Sequence, residues 1–299
     1  MKTFFVMLKR NVKLFFKDKG LLFTSFITPL ILLVLYATFL SNVYENAFVE
    51  QLKVSNLVVD QSLVNGLVSG QLFSSLLAVS CVTVSFCSNM LMVQDKVSGA
   101  RKDLLMSPVK RSTLAYSYYI ASAFSTLIIC FIAMVACFIY VAISGWFLSV
   151  ADVFLIALDV FILVMFGTAL SSVINYFLSS QGHISAVGSI VSSCYGFICG
   201  AYMPLSSFSS GLRTAVMFLP GTYGTSLLRN HTLGGVFDQM ATQGIPEQAI
   251  NGLKDSVDCN IYFFDNAVSV PVMFLVLTLT VFVLVGAYVM INALSKKKS

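Results

Sequence analysis

Residues 21–40 read LLFTSFITPLILLVLYATFL, an apolar run without a charge. A helix needs roughly 20 such residues, at 1.5 Å each, to cross about 30 Å of hydrocarbon. The run is long enough to span a bilayer and longer than the h-region of a signal peptide, about 7–15 residues. The expectation is a retained first span with no cleaved leader. Five further segments pass the same test: 70–93, 114–143, 153–177, 184–203 and 267–294. Only the fourth span carries a charge, Asp159. The fold expected is an all-α membrane protein, one domain over residues 1–299 with six transmembrane helices.

Composition agrees. The chain is 58% apolar and 10% charged, against about 45–50% and 25% for a soluble domain. Its mean hydropathy is +0.88. A net charge of +5 would suit nucleic acid, but its placement says otherwise. Six basic residues fall in 2–19, five in 94–111 and three in 296–298, which is 14 of 18 on one side. The other side holds Lys53, Arg213, Arg229 and Lys254 among nine acids. Short loops rich in Lys and Arg mark the cytoplasmic side, so both termini are placed in the cytoplasm and no nucleic acid is expected.

Residues 1–19 predict an interfacial helix. Phe4, Phe5, Leu8, Val12, Phe15 and Phe16 share one arc, and Lys2, Lys9, Arg10, Lys13 and Lys17 the opposite one. Such a helix lies at the inner surface with its basic face toward anionic lipid. The third span, 114–143, is long enough to tilt or project beyond the bilayer. Residues 204–266 form an external block whose patch Leu212, Ala215–Leu219 is too short to span. A re-entrant element and a loop with a buried apolar foot both fit it; backbone at that depth has to be covered by protein.

Residues 94–111, QDKVSGARKDLLMSPVKR, predict a short cytoplasmic amphipathic helix. Val97, Leu104 and Leu105 can face apolar surface while Arg101 and Lys102 stay solvated. Ser107-Pro108 stops it, because the residue before proline disfavours helix. A docking surface for a cytoplasmic partner is the better reading than a plain basic loop. The docking set is Asp95, Lys96, Gly99, Arg101, Lys102, Leu104, Leu105 and Pro108.

Three segments in order carry a family resemblance. LFFKDKGLLFTSFITPLILLVLY (14–36) resembles the opening of ABC-transporter type-2 permeases. Residues 94–111 resemble their coupling helix, with Gly99, Leu104-Leu105 and Pro108 at similar spacing. FLPGTYGTSLLRNHTLGG (218–235) is similar to the motif before their last span, with Pro220, Tyr223 and Arg229 at the matching positions. The resemblance implies two paired permeases, identical or paralogous, and two ATPase subunits on the cytoplasmic face. It implies export of drugs, lipids, glycans or other amphiphiles across a bacterial cell membrane. The chain has no GxxxxGK[ST] phosphate loop, so ATP and Mg are expected on the partner ATPase, and no cofactor or catalytic residue on this chain.

The conduit expected from the residues is small and polar. The fifth span offers Ser185, Ser189, Ser192, Ser193, Gly196 and Gly200 beside Tyr195 and Phe197. The second offers Ser74, Ser75, Ser80, Thr83, Ser85 and Asn89 beside Phe73 and Phe86. Tight helix packing and a substrate pathway both fit this pattern; the pathway set is Phe73, Phe86, Asn89, Ser189, Ser193 and Phe197. Asp159 reads as a structural hydrogen-bonding group, with an ion-coupled carrier as the rival reading. Arg213 and Arg229 either meet lipid headgroups or pin the external block to Asp238 or Asp265. Of seven cysteines only Cys259 lies in an external loop, as an unpaired thiol; with two histidines, no metal site is expected.

Overall fold

The computed structural model describes residues 2–54, 59–107, 109–264 and 266–294; Pro108, Asp265 and the C-terminal lysines lie outside them. Helix α1 (Lys2–Lys17) ends where Asp18 turns extended and caps the next helix through Leu21 N, 3.1 Å away. Helix α2 (Lys19–Leu35), a π-helical turn (Tyr36–Leu40) and α3 (Ser41–Val54) then run on as one rod. Next come α4 (Gln61–Val97), α5 (Ala100–Met106), α6 (Arg111–Ser144), α7 (Val150–Phe177) and α8 (Gln181–Ile198). The outer block contains α9 (Ser210–Met217), α10 (Pro220–Thr242) and α11 (Glu247–Ser256). A two-stranded hairpin, β1 (Tyr262–Phe263) and β2 (Asn266–Ala267), leads into α12 (Val270–Leu294).

Five of these helices are long and apolar enough to cross a membrane: Lys19–Glu50, Gln61–Val97, Arg111–Ser144, Val150–Phe177 and Val270–Leu294. The fifth predicted span, 184–203, is not among them. Its helix, α8, has 18 residues, opens on the polar Gln181-Gly182-His183 and stops at Ile198. Gly200, at φ +73°, then turns the chain aside. The expected six spans are therefore five such helices plus a shorter one.

Helix α4 is the axis of the bundle and touches α2, α6, α7, α8 and α10. Its most apolar window is 89% buried, against 11% for α12. The Ser and Gly content of this helix explains that position. Gly167 of α7 has no side chain, and a Cβ there would come within 3.0 Å of Val82 Cα. The two backbones close up, and small polar groups join them. Asn89 Nδ2 donates to Ser171 Oγ at 3.0 Å and Ser172 Oγ at 2.8 Å, and Ser85 Oγ meets Thr168 Oγ1 at 3.3 Å. Thr126 of α6 bonds Ser88 Oγ at 3.0 Å. Such bonds contribute on average about 0.6 kcal/mol each in membrane bundles.

Helix α10 lies along α4, α7 and α12. Its C-terminal turns pass Gly66, Gly70 and Phe147, at the ends of α4 and α6. Its first turns reach Tyr195 of α8 at Gly221 and Leu163 of α7 at Gly224. Leu163 lies about 20 Å along α7 from Val150 at 1.5 Å per residue. A Cβ on Gly235 would overlap the Phe147 carbonyl oxygen, a backbone atom that cannot swing away. Gly235→Ala is expected to cost about 3 kcal/mol, the upper end of overpacking. Gly234→Ala, with nothing within 4 Å, should be neutral or stabilising. Thermal unfolding of the two variants in detergent checks the contrast, and equal melting points would refute it.

Candidate functional site: a braced cytoplasmic helix and an outer clamp

The first element begins where α4 ends. Gly99, at φ +87°, reverses the chain in a conformation that glycine adopts freely, and its carbonyl accepts Lys102 N at 2.8 Å to start α5. Ser107 is extended (ψ 161°) and its Oγ bonds Leu104 O at 2.6 Å, the conformation expected before proline. Leu104 and Leu105 are half-buried against the cluster of Met92, Leu114, Tyr118 and Tyr288. They seat α5 on the bundle.

The polar residues nearby are also largely occupied. Asp95 accepts Arg10 NH1 at 2.6 Å, Arg10 NH2 at 3.1 Å and Tyr118 OH at 2.5 Å. Lys96 Nζ donates to Tyr176 O at 2.8 Å and Leu178 O at 2.7 Å, closing the C-terminus of α7. Arg101 NH2 donates to Asn292 Oδ1 at 2.9 Å, over the Tyr176 ring. Asn11, fully buried in α1, donates to Ser117 Oγ at 3.4 Å. The chemistry assigned to docking therefore divides. Asp95 and Lys96 tie α1 and α7 to the end of α4, while Arg101, Leu104 and Leu105 seat α5 on the bundle, which corrects the expectation that Arg101 is solvated. Lys102, Asp103, Met106 and Ser107 face outward, with Met106 86% exposed. Pro108 falls outside the described residues.

The Arg10 guanidinium is held above its ordinary pKa, first by its hydrogen bond to Asp95 and against the opposing effect of burial. Asp95→Asn keeps the shape and removes the charge. A charge-assisted hydrogen bond contributes about 1.5–3 kcal/mol, so α1 should loosen from α6. Hydrogen exchange in residues 2–17 should rise at least tenfold, the equivalent of about 1.4 kcal/mol. Unchanged exchange would show that Asn11 and Phe15 hold α1 without the ion pair.

In the second element, Arg229 is the centre of a clamp. Its NH1 bonds Asp258 Oδ2 at 2.9 Å and its NH2 bonds Gly200 O at 2.6 Å. Asp258 also accepts Leu205 N, at 3.0 and 3.2 Å from its two oxygens. Ser226 and Asn230 both donate to Cys259 O, at 2.9 and 2.7 Å. Tyr223 OH bonds Met217 O at 2.8 Å, and Pro220 occupies the first turn of α10, where proline costs no hydrogen bond. Pro220, Tyr223 and Arg229 thus tie α10 to α9, to the end of α8 and to the turn before the hairpin. The partner of Arg229 is Asp258 and not Asp238; Asp265 lies outside the described residues. Burial pushes the Asp258 carboxyl above its ordinary pKa, with the Arg229 charge pulling the other way. Cys259 is buried with its thiol free.

The family model for ABC-2 type transporters matches residues 2–232. The chain belongs to the ABC-2 type transporter family. No curated protein and no solved structure matches it. It is a multi-pass membrane permease, a transport component that works with ABC ATPases and is not itself the catalyst.

Within this ABC-2 permease the expected pathway residues do not converge. Phe73, Phe86 and Asn89 are 2%, 3% and 0% exposed, inside the packing around α4. Their polar neighbours on α4 make helix-to-helix bonds. Ser189, Ser193 and Phe197 line up one turn apart on an exposed face of α8. Asp159 meets His231 Nδ1 at 2.5 Å across α7 and α10. Arg213 is exposed. The sequence reading missed Asp258 and His231, which lie in separate elements with no shared spacing, and it put Gly200 in the fifth span and not beside Arg229. Arg10 could have been found. It follows the arc of the basic residues but sits next to Asn11, a polar residue on the apolar side.

Proposed function

We propose that the chain is the membrane subunit of a bacterial ABC exporter that moves an amphiphilic substrate, such as a drug, lipid-like compound or toxin. ATP and Mg bind separate ATPase subunits at the cytoplasmic face. The observation that carries this reading is α5. An apolar side chain, Met106, stands out into solvent on a short helix whose other face rests on α4 and on the cluster from α6, α7 and α12. A helix held this way transmits a push to the bundle instead of absorbing it. Lys102 and Asp103 flank the knob and suit a groove with mixed charge. The basic residues around α1 and α5 put this face and both termini in the cytoplasm, and lipid covers the remaining apolar surface.

A second permease, identical or paralogous, completes the transporter. The exposed face of α8 with Ser189, Ser193 and Phe197 is the surface for that copy and for the substrate path between them. Outward direction follows from the likeness of residues 14–36, 94–111 and 218–235 to exporters of the family. Co-purification from the native cells tests the reading: an ABC ATPase should accompany the detergent-solubilised permease. A folded permease that brings down no ATPase would overturn it. One observation favours a second reading, an ion-coupled carrier: Asp159 and His231 form a titratable pair inside the bundle. Full transport by an Asp159→Asn variant would remove that alternative.

A further inference from the structure

We propose that the cleft between α1 and the start of α6 is a discrete site for one anionic phospholipid of the inner leaflet. The cleft has a volume of about 620 Å³, within the range of ligand sites. Thr3, Phe5, Lys110, Thr113, Tyr116 and Ile120 are among its walls, and no carboxylate lines it among the described residues. Its polar end is the Lys110 ammonium with the Thr3 and Thr113 hydroxyls, and Lys110 and Thr3 are exposed. From there an apolar track runs up α6 through Tyr116, Ile120 and Phe124, which are 41%, 36% and 51% exposed. Residues four apart share one helix face.

The dimensions choose the occupant. From Thr113 to Phe124 is about 16 Å at 1.5 Å per residue, and one leaflet's hydrocarbon is about 15 Å, half of ~30 Å. A chain lying on the track therefore reaches the bilayer centre when its phosphate is beside Lys110. A free phosphate would use the polar end and leave the track unexplained. A zwitterionic lipid would leave Lys110, the one cation lining the cleft among the described residues, without a matching net charge. The inference rests on the membrane setting of the chain and not on the ATPase reading.

Native mass spectrometry of the purified permease tests it after exchange into equal phosphatidylglycerol and phosphatidylcholine. Wild type should retain one phosphatidylglycerol with roughly fivefold preference, the value of one basic residue at a membrane surface. Lys110→Glu should abolish the preference; an acid in the first turn suits a helix N-terminus, so the fold is not at risk. Ile120→Trp should block the track and reduce retention of both lipids. Lys13→Glu, an exposed basic residue of α1 that does not line the cleft, should keep the preference. Undiminished preference in Lys110→Glu, or equal loss in Lys13→Glu, would overturn the site in favour of a diffuse basic surface. Displacement of the lipid by millimolar inorganic phosphate would overturn it in favour of a simple anion site.

Discussion

Arg229→Met should destabilise the permease by about 3–5 kcal/mol, the usual cost of removing one partner from a buried ion pair. The side chains of Arg229 and Asp258 are 1% and 6% exposed, so water cannot replace the lost guanidinium. The Gly200 carbonyl loses its donor at the same time. Asp258→Asn isolates the charge, because Asn tolerates the positive φ of 52° at this position. It strands Arg229 instead. The double variant should cost less than the two single ones together, since neither charge is then left alone.

The pH dependence has a definite sign. Burial already raises the Asp258 pKa in the folded protein. A group with a raised folded pKa favours the fold below its unfolded pKa and loses that contribution as pH rises through the folded value. Without Arg229 the carboxyl has lost its largest opposing charge, with Arg213 the smaller one that remains, so the Arg229→Met deficit should be smaller near pH 5 than near pH 8. Thermal unfolding in detergent at the two pH values measures this. A deficit under 1 kcal/mol, or one that grows on acidification, would show that the clamp is not an ion pair.

Met106→Asp should weaken the ATPase complex by ~2 kcal/mol or more, about 30-fold, as expected when a charge replaces an apolar anchor at an interface centre. It should leave the fold unchanged, because Met106 is 86% exposed. Leu104→Ala should behave differently. Leu104 packs against Met92 and Tyr288, so its loss should lower the melting temperature and blur α5 instead of deleting the contact surface. Titration of ATPase onto the two variants, with a melting curve for each, separates anchoring from seating. Equal binding by wild type and Met106→Asp would move the contact elsewhere.

Apolar run length reads well where the environment is uniform. Residues 21–40, 70–93, 114–143 and 153–177 fall within long helices, and 267–294 contains α12 from Val270 on, because an apolar helix in lipid has few alternatives. Residues 184–203 give a shorter helix, Gln181–Ile198. Their mean polarity suits a span, but Gly200 turns the chain and Arg229 holds that turn from a distance. The short helix α5 was legible in position through Gly99 and Ser107-Pro108. Its orientation was not, because Leu104-Leu105 shows two apolar side chains without saying whether bundle or partner receives them. Met106, the next residue, is the one left in solvent. Likewise Ser and Asn on α4 carry the same pattern whether they line a path or join two helices. The proximity of α7 at Gly167 is what brings them into hydrogen bonds with it.

Cysteine cross-linking from α5 to the ATPase tests the central claim most directly. Met106→Cys and Leu104→Cys are compared in membranes containing the native ATPase, with wild type reporting the background of the seven native cysteines. The account predicts a permease–ATPase adduct from position 106 and little from position 104. An adduct from position 104 alone, or from neither in a folded and assembled complex, would contradict it.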